Sequence, residues 1–183
     1  MTMETYLELI ENKIKTILNR PEKNDLTFDL LDTDKSMKNK MVILKEKQKS
    51  MKIGEIWQEV IGNYEGFTNL KIGHVSGLDI ISVSKKVIIE LKNRTNTDNH
   101  SSKKTNFDKL AKFKKENPEY LCIYATINAD NKKKTVEGAI IKIIHNNEEI
   151  YQYTGYKFLK LIFEDNIEII LNFIRDTIDK YSI

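Results

Sequence analysis

The sequence predicts an α/β or α+β domain built around a mixed β-sheet that is flanked by helices. Apolar residues recur at helical spacing near both ends of the chain. A hairpin pattern of two β-rich runs lies near the middle, and a nearly continuous apolar strand follows it. A length of 183 residues and a hydrophobic content of 40% are sufficient for one core, so we expect a single domain.

The patterns in the first part of the chain are helical. Apolar side chains of the first helix recur every three or four residues, and few helix breakers occur in the second helical stretch. Pro, Gly, Asn and Asp residues punctuate the connections. The expected elements are a helix over Glu4–Leu18, a connector over Arg20–Asp34, one long or two shorter helices over Lys35–Tyr64, and a loop or irregular strand over Asn63–Gly77.

The rest of the chain alternates strands and helices. It begins with the β-rich runs Leu78–Val83 and Lys86–Leu91, which Ser84-Lys85 separates. The later elements are expected to be a polar loop over Asn93–Lys104, a basic helix over Asn106–Glu116, a buried strand over Tyr120–Ile127, a strand pair over Gly138–Ile144 and Glu149–Thr154, and a helical region over Tyr156–Tyr181 broken near Asp165-Asn166. We expect one domain over 1–183, with a helical part at 1–53, a core at 54–127, and a strand pair with helix at 128–183.

Composition excludes several classes of protein. The single cysteine, Cys122, leaves no internal disulfide framework and no Cys-based zinc site. No apolar run approaches the ~20 residues of a membrane-spanning helix, and the N-terminal pattern is acidic and helical, unlike a signal peptide. We therefore expect a soluble protein of the cytoplasm.

Charge is distributed unevenly along the chain, although 30 Lys and Arg residues nearly balance 27 Asp and Glu residues. Lys35–Lys52 holds seven lysines against Glu46 alone, and Lys85–Lys115 holds ten basic residues against three acidic ones. The tail, Asn147–Ile183, is acidic. Two basic stretches favour a surface that meets a polyanion such as nucleic acid. The alternative is that the lysines only solvate helix faces.

Three charged residues lie within or at the end of the apolar hairpin runs: Asp79, Glu90 and Lys92. A turn about Ser84-Lys85 places Asp79 opposite Glu90, where Cβ atoms are about 4.5–5.5 Å apart. Strand alternation places Lys92 on the same face as Glu90. Two carboxylates so close repel each other unless a proton or a cation lies between them.

Such a site suits Mg²⁺, which prefers oxygen ligands. The ion can polarise a phosphoryl oxygen and lower the pKa of a bound water, and a neighbouring lysine can orient or deprotonate the attacking water. The pattern therefore favours metal-assisted phosphodiester hydrolysis. The alternative is a structural pair, solvated or salt-bridged by Lys92 and Arg94.

Two motifs carry a resemblance to a known family. Gly77-Leu78-Asp79, followed after ten residues by Glu90-Leu91-Lys92, resembles the PD-(D/E)xK nuclease motif, with Leu78 in place of the frequent proline. Together with Ser76, Asn93 and the run Asn96–Ser102, it resembles the small type II restriction endonucleases that cut GGNCC-type sites. The resemblance covers roughly residues 54–113.

The resemblance implies a restriction-endonuclease-like core and a homodimer that cleaves duplex DNA with Mg²⁺, leaving 5′-phosphate and 3′-hydroxyl ends. A cognate DNA methyltransferase is then the expected partner of the system. The implied metal ligands are Asp79, Glu90 and the carbonyl of Leu91, and the implied catalytic lysine is Lys92.

A helix before the hairpin often contributes a Glu or Gln to the site in this fold, and Gly54–Glu59 resembles that helix. Gln58 fits best by its distance from Gly54, with Glu55 and Glu59 as rivals. The alternative for each is a solvated helix face around a buried Trp57.

The polar run that starts at Asn93 is the predicted DNA-reading segment. Arg bonds guanine and Asn bonds adenine in a bidentate way, whereas Lys more often holds phosphates. We expect Arg94 with Asn96 or Asn99 at the bases, and Lys103 and Lys104 on the backbone. The alternative is a polar loop whose side chains only satisfy turns.

The first hypothesis is therefore a type II restriction endonuclease. The second keeps the fold but makes the protein a structure-selective nuclease, such as a junction resolvase or a repair enzyme. The third is a non-catalytic DNA-binding protein in which Asp79 and Glu90 are structural.

Overall fold

A six-stranded mixed β-sheet flanked by helices forms the centre of the protein and confirms the predicted fold class. The structure is a computed structural model that describes residues 1–22, 31–71, 73–94, 100–128 and 137–181. In chain order the elements are α1 (Met3–Leu18), α2 (Asp34–Gly62), β1 (Thr68–Asn69), β2 (Ile80–Ser82), β3 (Val87–Arg94), α3 (His100–Glu116), β4 (Leu121–Asn128), β5 (Ile140–His145), β6 (Glu148–Thr154), α4 (Gly155–Phe163), a 3₁₀ turn (Glu164–Asn166) and α5 (Ile167–Tyr181).

The strands lie in the order β1-β2-β3-β4-β6-β5. The first three strands form an antiparallel meander, and β5 and β6 form a second antiparallel pair. Parallel pairing of β4 with β3 on one side and β6 on the other joins the two halves. This central position explains the continuous apolar run of β4, because both of its faces are covered.

The two faces of the sheet carry separate hydrophobic clusters. On one face, α1, α2, α4 and α5 pack against alternate residues of β3 and β4, among them Ile89 and Ile123, which are fully buried. On the other face, α3 packs through Phe107 and Leu110 against Ile88 and neighbouring strand residues. The predicted site lies at the edge between these layers, where β2 begins and β3 continues past it.

The N-terminal helices follow the sequence patterns closely. Thr2 caps α1 by accepting a hydrogen bond from the backbone of Thr5. Helix α2 is a single 29-residue helix, which resolves the choice between one helix and two. None of residues 34–55 in α2 is buried, whereas its C-terminal turns pack on the sheet. Within the described ranges, no helix is both long enough and apolar enough to cross a membrane.

The later elements agree with the predicted order but differ at their ends. The hairpin turn contains four residues, 83–86, so β2 is shorter than predicted. The prediction of a polar loop over Asn93–Lys104 was wrong at both ends. Strand β3 continues through Arg94 because it pairs with Asn128 of β4, and α3 begins at His100 because its later turns are anchored on the sheet.

Candidate active site

A β-bulge sets the position of Asp79 at the sheet edge. Asp79 donates its backbone N–H to the carbonyl of Ile89 over 3.1 Å, although Ile89 already pairs with Ile80. The carbonyl of Asp79 points the other way and accepts from the N–H of Leu70 over 2.8 Å. Two residues of one strand thus oppose one residue of the next, and such bulges redirect side chains beside active sites. The ladder stops one pair short of the predicted pairing of Asp79 with Glu90.

The carboxylate of Asp79 occupies the edge of β3 that β2 leaves open. Its Oδ2 accepts a hydrogen bond from the backbone N–H of Leu91 over 2.7 Å. The N–H and C=O of one strand residue point toward the same edge. The carbonyl of Leu91 therefore faces the same open edge as the Asp79 carboxylate.

Glu90 and Lys92 lie on one face of β3, as strand alternation predicts. Lys92 Nζ donates to Glu90 Oε1 over 2.7 Å. The side chain of Glu90 is 4% exposed and that of Lys92 is 22% exposed, so the ammonium group reaches solvent while the carboxylate does not. The amine and both acids of the motif thus meet beside the first residue of β2, where β3 continues past its partner strand.

Burial makes this pair of acids unusual. Desolvation raises the pKa of Asp79 above its ordinary value, against the Leu91 hydrogen bond and the positive charges of Lys92 and Lys109. Desolvation also raises the pKa of Glu90, and the charge of Asp79 raises it further, although Lys92 and Lys109 oppose both effects. Two acids whose ionised forms are disfavoured together form a site that a cation would stabilise.

Helix α2 supplies a third polar group. Gln58 Nε2 donates to Asp79 Oδ1 over 3.1 Å, so Gln58 is the member of the predicted trio that touches the site. Glu55 instead forms a two-pronged ion pair with Arg20, at 2.8 and 2.9 Å. Glu59 is bound by Lys13 at 3.2 Å and by Lys71 at 3.1 Å.

The donor atoms at this edge fit a hard divalent cation. Glu90 Oε2 is a buried oxygen with no hydrogen-bond partner in the described part of the chain. The Asp79 carboxylate and the Leu91 carbonyl supply further oxygens, and a site of this composition suits Mg²⁺ better than a thiophilic metal. In the part of the chain that the structure describes, no cluster of three or more His, Cys, Asp or Glu side chains is present, so any ion here would need backbone, water or phosphate ligands as well.

Comparison with known proteins places the chain in a family. The family model described as Eco47II restriction endonuclease matches residues 2–181, which is nearly the whole chain. The chain belongs to the Eco47II restriction endonuclease family. This confirms the resemblance drawn from the Asp79 and Glu90 motifs, and it extends well beyond the stretch that the motifs covered.

A curated relative of the chain is also a restriction enzyme. The type II restriction enzyme Sau96I of Staphylococcus aureus is 28% identical to this chain over 82 residues. The matched stretch covers 45% of this chain and 31% of the relative. The chain therefore spans about a third of the length of that relative.

The predicted DNA-reading residues of this family member are spread over two elements. Asn93 is engaged at the strand end, where its backbone and side-chain oxygens accept from Asn128 at 2.8 and 2.9 Å. Arg94 is exposed at the end of β3, and Lys104 is exposed in the first turns of α3. Lys103 instead lies over the rings of Phe107 and Tyr124, at 5.7 and 5.6 Å from their centroids. Asn96 and Asn99 lie outside the described residues.

Sequence reasoning missed one residue of the site, Lys109. It lies on α3, and its charge acts on both Asp79 and Glu90. Its Nζ donates to the carbonyl of Gly77 over 3.1 Å, just before Asp79 in the chain. In the sequence Lys109 is one of ten basic residues in Lys85–Lys115, and no local signal distinguishes it from the others.

Proposed function

We propose that this chain is a type II restriction endonuclease that hydrolyses phosphodiester bonds of duplex DNA at a short specific site with Mg²⁺. The observation that carries the proposal is the meeting of Asp79, Glu90 and Lys92 at one sheet edge in a chain of the Eco47II restriction endonuclease family. Family membership supports the reaction class, and the side chains supply the groups that the reaction requires.

The residues that would hold Mg²⁺ are Asp79, Glu90 and the carbonyl of Leu91. When bound, the ion would polarise a phosphoryl oxygen and lower the pKa of a coordinated water. Gln58 fixes one oxygen of Asp79, and Leu91 N–H fixes the other, so the carboxylate is held before any ligand arrives. Hydrogen-bond partners that orient a metal-binding carboxylate in this way usually affect both the metal affinity and the activity of a site.

Lys92 is the group placed to act on the attacking water. In hydrolysis the water oxygen forms a bond to phosphorus, the bond to the 3′ oxygen breaks, and the products carry 5′-phosphate and 3′-hydroxyl ends. The ammonium group of Lys92 is partly exposed beside Glu90, where it can orient the water or stabilise charge on the phosphate. We assign it the catalytic role on this basis.

The DNA substrate would approach the exposed basic residues around the site. Arg94 and Lys104 are exposed near the end of β3 and the beginning of α3, which suits contacts to bases and phosphates. A short palindromic or interrupted target, GGNCC-like by the sequence resemblance, would be matched by a two-fold symmetric homodimer. A DNA methyltransferase that protects the same site would complete the system.

Digestion of a plasmid of known sequence with Mg²⁺ tests the proposal. We expect discrete bands, whose run-off sequences give the recognition site and cut position together. Cleavage of branched DNA alone would instead identify a structure-selective nuclease, such as a junction resolvase or repair enzyme. DNA binding without any cleavage would overturn the proposal in favour of a non-catalytic DNA-binding protein.

A further inference from the structure

Lys109 lies beside the proposed nuclease site but outside the motifs that define it. Its ammonium group donates to the backbone carbonyl of Gly77 over 3.1 Å. Gly77 adopts a left-handed conformation with φ of +62°, and a Cβ added there would lie 3.3 Å from Lys109 Cε. The lysine stem therefore lies directly against the turn that leads into Asp79.

The position of Lys109 is fixed by its own helix. The adjacent side chain of Asp108 accepts hydrogen bonds from His145 Nε2 at 2.7 Å and from Asn146 Nδ2 at 3.0 Å. Phe107 stacks on Tyr124 of β4 with ring centroids 5.0 Å apart, and Leu110 is fully buried. Helix α3 is thus anchored to the sheet on both sides of Lys109 in the sequence.

A structural role alone accounts poorly for a charged side chain at this place. The hydrogen bond to Gly77 is exposed, and water could satisfy that carbonyl equally well. Water cannot compensate the negative charges of Asp79 and Glu90, but a cation can. Both acids lie close enough to Lys109 for its positive charge to act on them. Lys92 alone neutralises one acid, and the site contains two.

We propose that Lys109 is a second cation of the nuclease site, which balances the Asp79–Glu90 pair in the free protein and binds a DNA phosphate oxygen in the complex. The proposal rests on the proposed nuclease function. With a divalent ion bound, the two carboxylates would no longer need the charge of Lys109 to balance them. The ammonium group is then available to an incoming phosphate, for which a lysine acts as a point charge.

The proposed role predicts that loss of the Lys109 charge strengthens the binding of a divalent ion and weakens the binding of DNA. In Lys109→Gln, removal of a positive charge near the carboxylates should tighten Mn²⁺ binding to the DNA-free protein by about threefold or more. For duplex DNA, the same change should make the negative slope of log affinity against log salt concentration shallower by about one, as expected for one lost phosphate contact. A purely structural role would weaken both ligands together.

The experiment compares Lys109→Gln with Lys109→Arg and with the control Lys112→Gln, an exposed lysine on the same helix. Mn²⁺ binding is measured by calorimetry without DNA, and DNA binding is measured in a Lys92→Ala background so that the duplex stays intact. Lys109→Arg and Lys112→Gln should keep the metal affinity of the wild type. In the Lys92→Ala background, Lys109→Arg should keep the salt slope of its parent. If Lys109→Gln folds poorly, Lys109→Met supplies a second neutral side chain of similar length.

An unchanged salt slope, or weaker binding of both Mn²⁺ and DNA, in the neutral variants would overturn the role of Lys109. Wild-type cleavage of plasmid DNA is measured in parallel. If the wild type cuts DNA while the neutral variants keep the salt slope of their Lys92→Ala parent, only the role of Lys109 fails. If the wild type neither binds nor cuts DNA, the proposed function fails and the role of Lys109 fails with it.

Discussion

Gln58 donates its side-chain amide to the carboxylate of Asp79 over 3.1 Å across 21 positions of the sequence. This bond connects helix α2 to the edge of the sheet where β2 begins. Because Asp79 Oδ2 is held by Leu91 N–H at the same time, the carboxylate is fixed from the helix layer and from the strand. The orientation of this carboxylate is therefore set by contacts from two elements that are far apart in the chain.

Removal of this amide should disturb the site without disturbing the fold. In Gln58→Ala, we expect DNA cleavage and divalent-ion affinity to fall by about 10–100-fold, because Asp79 loses the partner that orients it. Single-turnover rates measured over a series of Mg²⁺ concentrations check this. Glu55→Gln is the matched control on the same helix, since Glu55 binds Arg20 instead of the site, and its rate should stay near that of the wild type.

Loss of the motif lysine should separate cleavage from binding. In Lys92→Ala, the cleavage rate should fall by about 10²–10⁴-fold, because the group that orients the water and stabilises phosphate charge is removed. The DNA affinity of Lys92→Ala should stay within a few-fold of the wild type in a gel-shift assay. Lys112→Ala, which removes an exposed lysine of α3, is the control for the cleavage rate and for the DNA affinity. Wild-type activity in Lys92→Ala would remove Lys92 from the mechanism.

The raised pKa of Glu90 has a consequence for stability. A carboxyl group whose pKa is higher in the folded than in the unfolded protein contributes stability below the unfolded pKa, and this contribution is lost as pH rises through the folded pKa. Glu90→Gln carries no such loss. The metal-free variant should therefore unfold at a higher temperature than the wild type at pH 7.5. This gain should shrink as pH falls toward the unfolded pKa of about 4.3, and it should be absent below that pH.

Thermal unfolding at pH 7.5 and at a pH of about 3.5, followed by circular dichroism, tests this prediction. Saturating Mg²⁺ should raise the Tm of the wild type more than that of Glu90→Gln, because the variant lacks one carboxylate ligand. An equal difference between the two proteins at both pH values would contradict the burial argument.

The exposed lysine at the beginning of α3 should act through the DNA backbone. If Lys104 contacts a phosphate, Lys104→Ala should weaken DNA binding about equally for all DNA sequences. It should also make the negative slope of log affinity against log salt concentration shallower by about one. Fluorescence anisotropy over a range of NaCl concentrations measures the slope. A slope equal to that of the wild type would discard this contact, and Lys115→Ala, at the exposed far end of α3, provides the comparison.

The centre of the sheet should dominate stability. Ile123 is fully buried in β4, and Ile123→Ala should cost about 2–5 kcal/mol of unfolding free energy through lost burial and cavity formation. Ile144→Ala is the control, since Ile144 is 63% exposed on β5 and its loss should change stability by about 0.5 kcal/mol or less. Urea unfolding of both variants measures the difference, and equal costs would argue against this assignment of the core.

Structural features that follow from a local sequence pattern could be predicted from the amino-acid sequence alone. The hairpin register follows from the turn, so Ile80 pairs with Ile89 as the predicted turn requires. Alternation placed Lys92 beside Glu90, and helical spacing located α1 and the interrupted C-terminal helices. Each of these features follows from the spacing of side chains along the sequence, which has a period of two residues in a strand and 3.6 residues in a helix.

Features that depend on distant contacts needed the three-dimensional structure. The bulge at Asp79 arises because its N–H and carbonyl turn toward different strands, and no residue type in the sequence marks it. The choice of Gln58 depends on competition, since Arg20 and two lysines already bind Glu55 and Glu59. Lys109 reaches the site only because α3 docks on the sheet beside it. Local periodicity cannot encode such meetings, because they depend on how elements far apart in the chain pack together.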